Sequence, residues 1–440
     1  MRPLVKVKVP APSTILLFFS LLVVVAFPST NGARGLLFIG LAAYLLFMMF
    51  VNRGPIRWIH ALWVICFYVL TIFSRRWSAY PSGAEVVIGS VTYAFILNWS
   101  LGEYVYQGKR SLNHICALMV VVSTLLSFNF ILNSSVDSNG RFSLGINANI
   151  MGINAAYLFG ILLYGAKEAH WKKWHMNVLT IAIAVIAILT GSRKALMMLL
   201  LFTVCYMLFW RPEKNMTKFF GRIFAVVGIS VFVIVLVMKV DILYDAIGNR
   251  LESLYLQWVH GEDADASAIT RDNMIDIGMR MFRLEPLLGL GHNAFKLGGG
   301  YFTYSHNNYV ELLCSLGICG FAIFYIPLVY FLVESFRLWK RGVPGAVVPL
   351  SIFIIQFIND WGQVSYYSFQ IHIFLGIAVG YVYLLKKEYR QGKYDDVLIP
   401  CGRSARIRKN AVNREQHFTA AQCAKETAIQ QSDTQNQPPQ

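Results

Sequence analysis

The sequence predicts an all-α membrane protein: a polytopic bundle of about twelve transmembrane helices, interrupted once by a large polar loop that itself contains short helices. Three observations carry that class. Hydrophobic residues make up 56% of the chain and charged residues 14%, against roughly 45–50% and 25% in soluble domains. The apolar residues are gathered in runs of about 20, the length of helix that crosses a hydrocarbon core of about 30 Å. Lys and Arg collect between the runs, in short loops that alternate along the chain.

Hydropathy places the spans at roughly 14–28, 34–52, 57–74, 84–100, 113–133, 148–166, 176–191, 194–210, 221–239, 312–336, 346–360 and 366–385. The first follows Arg2, Lys6 and Lys8 and has the look of a secretory signal. No small-residue cleavage site follows it, and apolar runs continue to Leu385, so it reads as a first span. The chain thus divides into spans 1–9 (1–238), a polar loop (239–311), spans 10–12 (312–385) and a tail (386–440). The tail is basic and then Gln-rich; such a composition buries too little apolar surface to order itself and predicts disorder, with its basic start near anionic lipid headgroups.

Charge orients the bundle. Arg53 and Arg57, Lys109 and Arg110, Lys167, Lys172 and Lys173, Arg211, Lys214, Lys218 and Arg222, and Arg337, Lys340 and Arg341 fall in loops on one side together with both basic termini. The positive-inside rule makes that side cytoplasmic and puts the 239–311 loop on the outer face. The formal charge of +16 is therefore topological, and the partners it implies are membrane lipids rather than nucleic acid. Seven cysteines form no CxxC, and none lies between 239 and 310, so the loop holds neither a disulfide framework nor a thiol metal site. Cys314 and Cys319 sit in apolar sequence, as packing groups. There is no Walker A sequence and no HExxH, and Gly289-Leu-Gly291 lacks the strand–turn–helix setting of a phosphate fingerprint. Neither a metal nor a cofactor is expected.

Three outward segments hold residues able to do chemistry. In Asn139-Gly-Arg141 to Asn147-Ala-Asn149, the Gly and Asn residues suit a tight turn and a helix start; alternatively, Arg141 and Asn149 line a sugar-binding surface. Thr190-Gly-Ser-Arg193-Lys194 joins two spans with hardly any loop. Cations so near hydrocarbon are costly unless they snorkel, pair or face a wet cavity, and a helix start at Ser192 attracts anions in the same direction. The segment is either an interfacial anchor or a phosphate site. In the long loop, Ile269, Met274, Ile277, Met281 and Phe282 form an apolar stripe over 267–282, a helix able to lie across the membrane surface. Pro286 ends it, and the glycines from Gly289 to Gly300 suggest a flexible connection with a hinge at 298–300. His306, with Asn307 beside it, stands at the mouth of the next helix.

Several arginines and a histidine on an outer face suit the displacement of a diphosphate. Arginine presents a permanently charged fork to phosphate oxygens. Histidine takes a proton near neutral pH and is able to activate an attacking hydroxyl. No nucleoside triphosphate is required.

Arg141-x3-Gly145-x-Asn147-x-Asn149, Thr190-Gly-Ser-Arg193, Thr270-Arg271, Glu285-Pro-Leu-Leu-Gly-Leu-Gly291 and His306-Asn-Asn-Tyr-Val-Glu-Leu-Leu together resemble the conserved blocks of the O-antigen ligase and polymerase superfamily, over about 142–371. The resemblance implies a multi-pass protein of a bacterial inner membrane, with a periplasmic loop, cytoplasmic termini and no metal in its glycosyl transfer. The donor it implies is an undecaprenyl-diphosphate-linked glycan. The acceptor is a hydroxyl of lipid A–core in the ligase or another lipid-linked glycan in the polymerase. It assigns diphosphate binding to Arg193 and to a loop arginine, Arg271 first with Arg250 and Arg280 in reserve, and acceptor activation to His306. Lys194, Arg141, Asn149 and Asn307 fall among the substrate-binding candidates. The short 133–147 loop favours ligase over polymerase. The rival class, a lipid-linked glycan transporter, predicts repeated halves and ionisable residues near mid-membrane, and the sequence carries no repeat.

Overall fold

A computed structural model describes residues 57–137, 140–145, 147–165, 173–210, 215–260 and 266–393. The spans expected at 14–28 and 34–52, and the tail beyond residue 393, lie outside these. Each of the other ten expected spans coincides with a helix: α1 (Trp58–Ser74), α2 (Pro81–Tyr106), α3 (Lys109–Asn133), α4 (Ala148–Gly165), α5 (Lys173–Leu189), α6 (Arg193–Phe209) and α7 (Met216–Lys239), then, after the helices of the polar loop, three more. Those of the loop are a helical turn (Asp241–Leu243) that passes through a π-helical turn (Tyr244–Gly248) into α8 (Asn249–His260), then α9 (Ala266–Leu284) and α10 (Ala294–Gly298); the three that follow are α11 (Asn308–Lys340), α12 (Val347–Asp360) and α13 (Phe369–Arg390). Six of the helices are long and apolar enough to cross a membrane among the described residues, and α1, α5 and α12 are apolar but shorter. A two-residue antiparallel ladder, Ser135–Val136 with Phe142–Ser143, is the one β-sheet among the described residues. The last helix runs to Arg390, five residues into the expected tail.

Small residues let the central helices touch backbone to backbone. A methyl group on Gly376 of α13 would lie 2.5 Å from the Asn98 carbonyl oxygen of α2, and one on Gly380 2.5 Å from that of Gly102. Such close approach is the usual source of helix association where lipid removes the hydrophobic drive. Around this seam Trp63, Phe67, Phe95, Phe324 and Phe331 are all buried and meet ring to ring, with Phe67 and Phe95 stacked at 4.9 Å. By contrast α7 buries only Val237, leaving an apolar cylinder suited to lipid on nearly every side.

The most informative element is α11. Its 33 residues are broken at Gly317 (φ 62, ψ −164) into 308–316 and 318–340. The two parts fold back on one another: Asn308 Nδ2 donates to the Tyr325 hydroxyl at 2.8 Å although 17 positions separate them, which a straight helix would hold about 25 Å apart. Tyr309 also stacks on Tyr325 at 5.0 Å. A broken helix exposes carbonyls at one end and N–H groups at the other, and in a membrane these need protein partners. The segment 286–291 supplies both. Leu290 N and Gly291 N donate to the carbonyls of Cys314 and Ser315 at 2.9 Å each, and Ile318 N and Cys319 N donate to those of Pro286 and Leu287 at 2.9 and 3.2 Å. Gly289 and Gly317 are required because a side chain on either would strike the opposing backbone. The connection expected to be flexible is therefore pinned, and of the expected hinge only Gly300 stands in open space; Gly298 and Gly299 are packed.

Candidate active site

The turn between α5 and α6 is the floor of the site. Gly191 takes φ +62, and the space a side chain would fill is occupied by the Arg141 stem and the Ala246 carbonyl. Arg250 Nη1 donates to the Gly191 carbonyl at 3.4 Å. Ser192 caps α6, accepting from Ala195 N at 3.3 Å, and Gly152 of α4 lies against Thr190 and Ser192. Arg193 and Lys194, both half-buried, thus stand at a helix N-terminus whose dipole adds positive potential.

Two further segments close on that turn. Lys194 reaches the turn after α12, its Nζ 2.7 Å from where a Cβ on Gly362 would be, and it feels the charges of Arg271 and Arg193. Arg271 projects, half-buried, from α9. Most of the apolar stripe of α9 faces protein: Met274 is buried with Phe295 and Cys314, Ile277 and Met281 pack beside them, and Gly278 admits Val310, while Ile269 stays exposed. The stripe therefore covers the half-helix 308–316 instead of lipid, which brings Arg271 to His306.

His306 sits in the turn before α11 with φ +56, a left-handed conformation that a non-glycine residue holds only when its surroundings over-determine it. Those surroundings are on both sides. Upstream, Ser305 N donates to buried Glu311 at 2.8 Å. Downstream, Asn307 Oδ1 caps α11 by accepting from Tyr309 N and Val310 N at 3.0 and 3.2 Å. The imidazole is half-buried beside Tyr304, ring centroids 4.3 Å apart. Burial, and after it the charges of Arg271 and Lys194, push it down to about 4, so at neutral pH it is an uncharged proton acceptor among cations. Burial likewise pushes the Tyr304 phenol up, partly offset by a hydrogen bond with Gln363 and the charge of Arg271.

The structure thus brings Lys194 and Arg271 to His306, with Arg193 beside Lys194 and Arg250 at the neighbouring Gly191 carbonyl. The other expected residues stand differently. Arg280 is exposed, and nine positions from Arg271, at about 100° each, put it on the opposite face of α9. Arg141 is held by Asp137, Nε at 2.8 Å and Nη2 at 2.6 Å, so its charge is largely answered within its own turn. Asn147, not Asn149, caps α4, accepting from Asn149 N at 2.9 Å; Asn149 is half-buried in the first turn. Asn307 spends its oxygen as a cap. Asn307→Ala is expected to cost about 1 kcal/mol, read as a lower denaturation midpoint of the purified protein in detergent. His292 is fully buried, stacked on Tyr366 with Nδ1 3.1 Å from its hydroxyl, and burial pushes it down to about 3: a neutral core histidine. Among the described residues no three His, Cys, Asp or Glu side chains are gathered to hold a metal ion.

Residues the sequence reading passed over also shape the site. Tyr304 and Glu311 lie within five positions of His306, and their proximity was the available signal. Gly362 and Gln363 carry no such signal, since only the fold brings the α12–α13 turn to Lys194.

Residues 178–325 match a family model described as O-antigen ligase, a stretch that includes all four converging side chains. No curated protein matches the chain.

Proposed function

We propose, from the premise that this chain belongs over residues 178–325 to the O-antigen ligase and polymerase superfamily, that it transfers a glycan from undecaprenyl diphosphate to a sugar hydroxyl on the periplasmic face of a bacterial inner membrane, with both termini in the cytoplasm. The observation that carries this reading is the convergence of Lys194 and Arg271 on one uncharged histidine, with Arg193 next to Lys194, from three segments far apart in sequence. In the transfer, the anomeric carbon–oxygen bond to the diphosphate breaks as the acceptor hydroxyl attacks that carbon. Arg193, Lys194 and Arg271 hold the negative charge that grows on the leaving diphosphate. His306 takes the hydroxyl proton as the new glycosidic bond forms. Arg250 and the start of α6 extend the positive field toward Gly191. No residue in this scheme relies on a metal ion.

We assign the ligase reaction, with lipid A–core as acceptor. The segment after α3 is a tight ladder whose Arg141 is paired with Asp137, so the second substantial arginine-bearing loop common in polymerases is absent among the described residues. The alternative is a polymerase with a second lipid-linked glycan as acceptor. A deletion strain read by lipopolysaccharide gel separates them. Loss of every long chain, with lipid-linked polymer accumulating, is the expected ligase result; a core bearing a single repeat unit would establish the polymerase. Arg193→Ala in the complementing copy is expected to reproduce the deletion pattern, with the protein still in the membrane. A reconstituted protein that moved labelled lipid-linked glycan across a bilayer without forming a glycosidic bond would overturn both.

A further inference from the structure

We infer that Asn308 is a positioning residue for this transfer: its carboxamide clasps the half-helix that begins beside His306 to the turn that backs Lys194. The inference rests on the reading of His306 as the group that takes the acceptor proton.

Asn308 is fully buried and uses every hydrogen-bonding capacity of its amide. Its Oδ1 accepts from Ser365 N at 2.8 Å and Tyr366 N at 3.1 Å. Its Nδ2 donates to the Tyr325 hydroxyl at 2.8 Å and to Asp360 Oδ2 at 3.3 Å. Two lone pairs and two N–H groups are all that an asparagine has, so no other side chain of this size fills the place. The partner carboxylate is equally committed: Asp360 also accepts from the Tyr325 hydroxyl at 2.8 Å and from Gln356 Nε2 at 2.5 Å.

The geometry gives this clasp a task beyond packing. Gly362, against which Lys194 lies, and residues 365–366, which Asn308 holds, belong to one turn between α12 and α13. At its other end Asn308 is two positions from His306. Its side chain therefore sets the separation between the imidazole and the Lys194 ammonium. Tyr325 adds the second half of α11 to the same knot, so the half-helix is pinned at its start by Asn308 and at its break by 286–291.

The test is a charge exchange in the full-length protein, purified, reconstituted and assayed with lipid-linked donor and lipid A–core acceptor. Asn308→Asp sets a second carboxylate against Asp360 and removes both amide donors. Turnover per correctly inserted molecule is expected to fall about 10- to 100-fold, the range for a misplaced catalytic group, while the donor KM stays within about threefold. Combining it with Asp360→Asn restores one amide and one carboxylate to the pair and is expected to recover most of kcat. A purely structural role would lower the amount of inserted protein and leave kcat per molecule unchanged; that result overturns the inference, as does a double variant no better than the single. Should Asn308→Asp not insert, Asp360→Asn alone, which sets amide against amide, is read in the same way. His306→Ala runs in parallel. If it is inactive while Asn308→Asp turns over normally, only the positioning role is lost; if it is fully active, the reading of the site falls as well.

Discussion

His306→Ala is expected to lower the proposed glycan transfer by about 10²–10⁴-fold, the usual contribution of a positioned acid–base group, and to leave the protein in the membrane, because among the described residues the half-buried imidazole makes no hydrogen bond that defines the fold. The pH profile should carry the same residue's mark. Burial and the charges of Arg271 and Lys194 hold its pKa at about 4, so the free enzyme keeps the uncharged form above that value and loses activity as pH falls through it. The acid limb of kcat/KM, which reports the free enzyme, is expected near pH 4. Bound diphosphate answers the cations that disfavour protonation, so in the complex the pKa moves up toward its ordinary value of about 6.5. The acid limb of kcat should therefore lie at higher pH than that of kcat/KM. Coincident limbs would show that donor charge does not reach His306. Replacing Arg271 with Gln should raise the free-enzyme limb, since one of the two cations acting on the imidazole is gone.

The largest effect on the fold is expected at the break in α11. Gly317→Ala asks a residue with a side chain to adopt φ +62, at about 1–2 kcal/mol, and drives its methyl group into the Leu287 carbonyl. Gly289→Ala does the reverse, meeting Ser315, Leu316 and Gly317 backbone atoms at 2.5–2.6 Å. Adding an overpacking cost of about 1–3 kcal/mol, each change is expected to remove roughly 3 kcal/mol or more of stability and to reduce transfer with it. Gly300→Ala supplies the control: φ is +80, but no atom lies within 4 Å of the added carbon, so only the conformational cost remains. Limited proteolysis of the three variants in detergent ranks them. Equal resistance across all three would mean that 286–291 does not hold the break.

How much of this was legible beforehand follows from where the information sits. Apolar runs announced the helices, because length and hydropathy are local. Arg193 and Lys194 announced themselves by position, as cations where lipid begins. The stripe of α9 was readable too, but its partner was not: period says that Met274 and Ile277 share a face, and only tertiary packing says that the face meets Val310 and Cys314. Gly289 and Gly291 were misread for a related reason. A run of glycines signals freedom when seen alone, and here Gly289 is needed for close approach to Gly317, a residue that hydropathy buries inside one unbroken span, and Gly291 for close approach to Ser78. Asn307 and Asn308 look alike in sequence. One is a cap and the other a clasp, a difference that arises from Tyr325 and from Asp360, Ser365 and Tyr366, the last three more than fifty positions on.

The interrupted helix also bears on biogenesis. The partner that receives its open backbone ends, 286–291, precedes it in the chain and so leaves the ribosome first. When Gly317 emerges, its docking segment is already made, and no unsatisfied peptide group need wait in lipid for later sequence. The half-helix 308–316, about 13 Å long, is too short to cross a bilayer by itself. An insertion machinery that reads hydropathy alone has only 318–340 to thread, and in the proposed topology His306 stays on the face to which its loop is delivered.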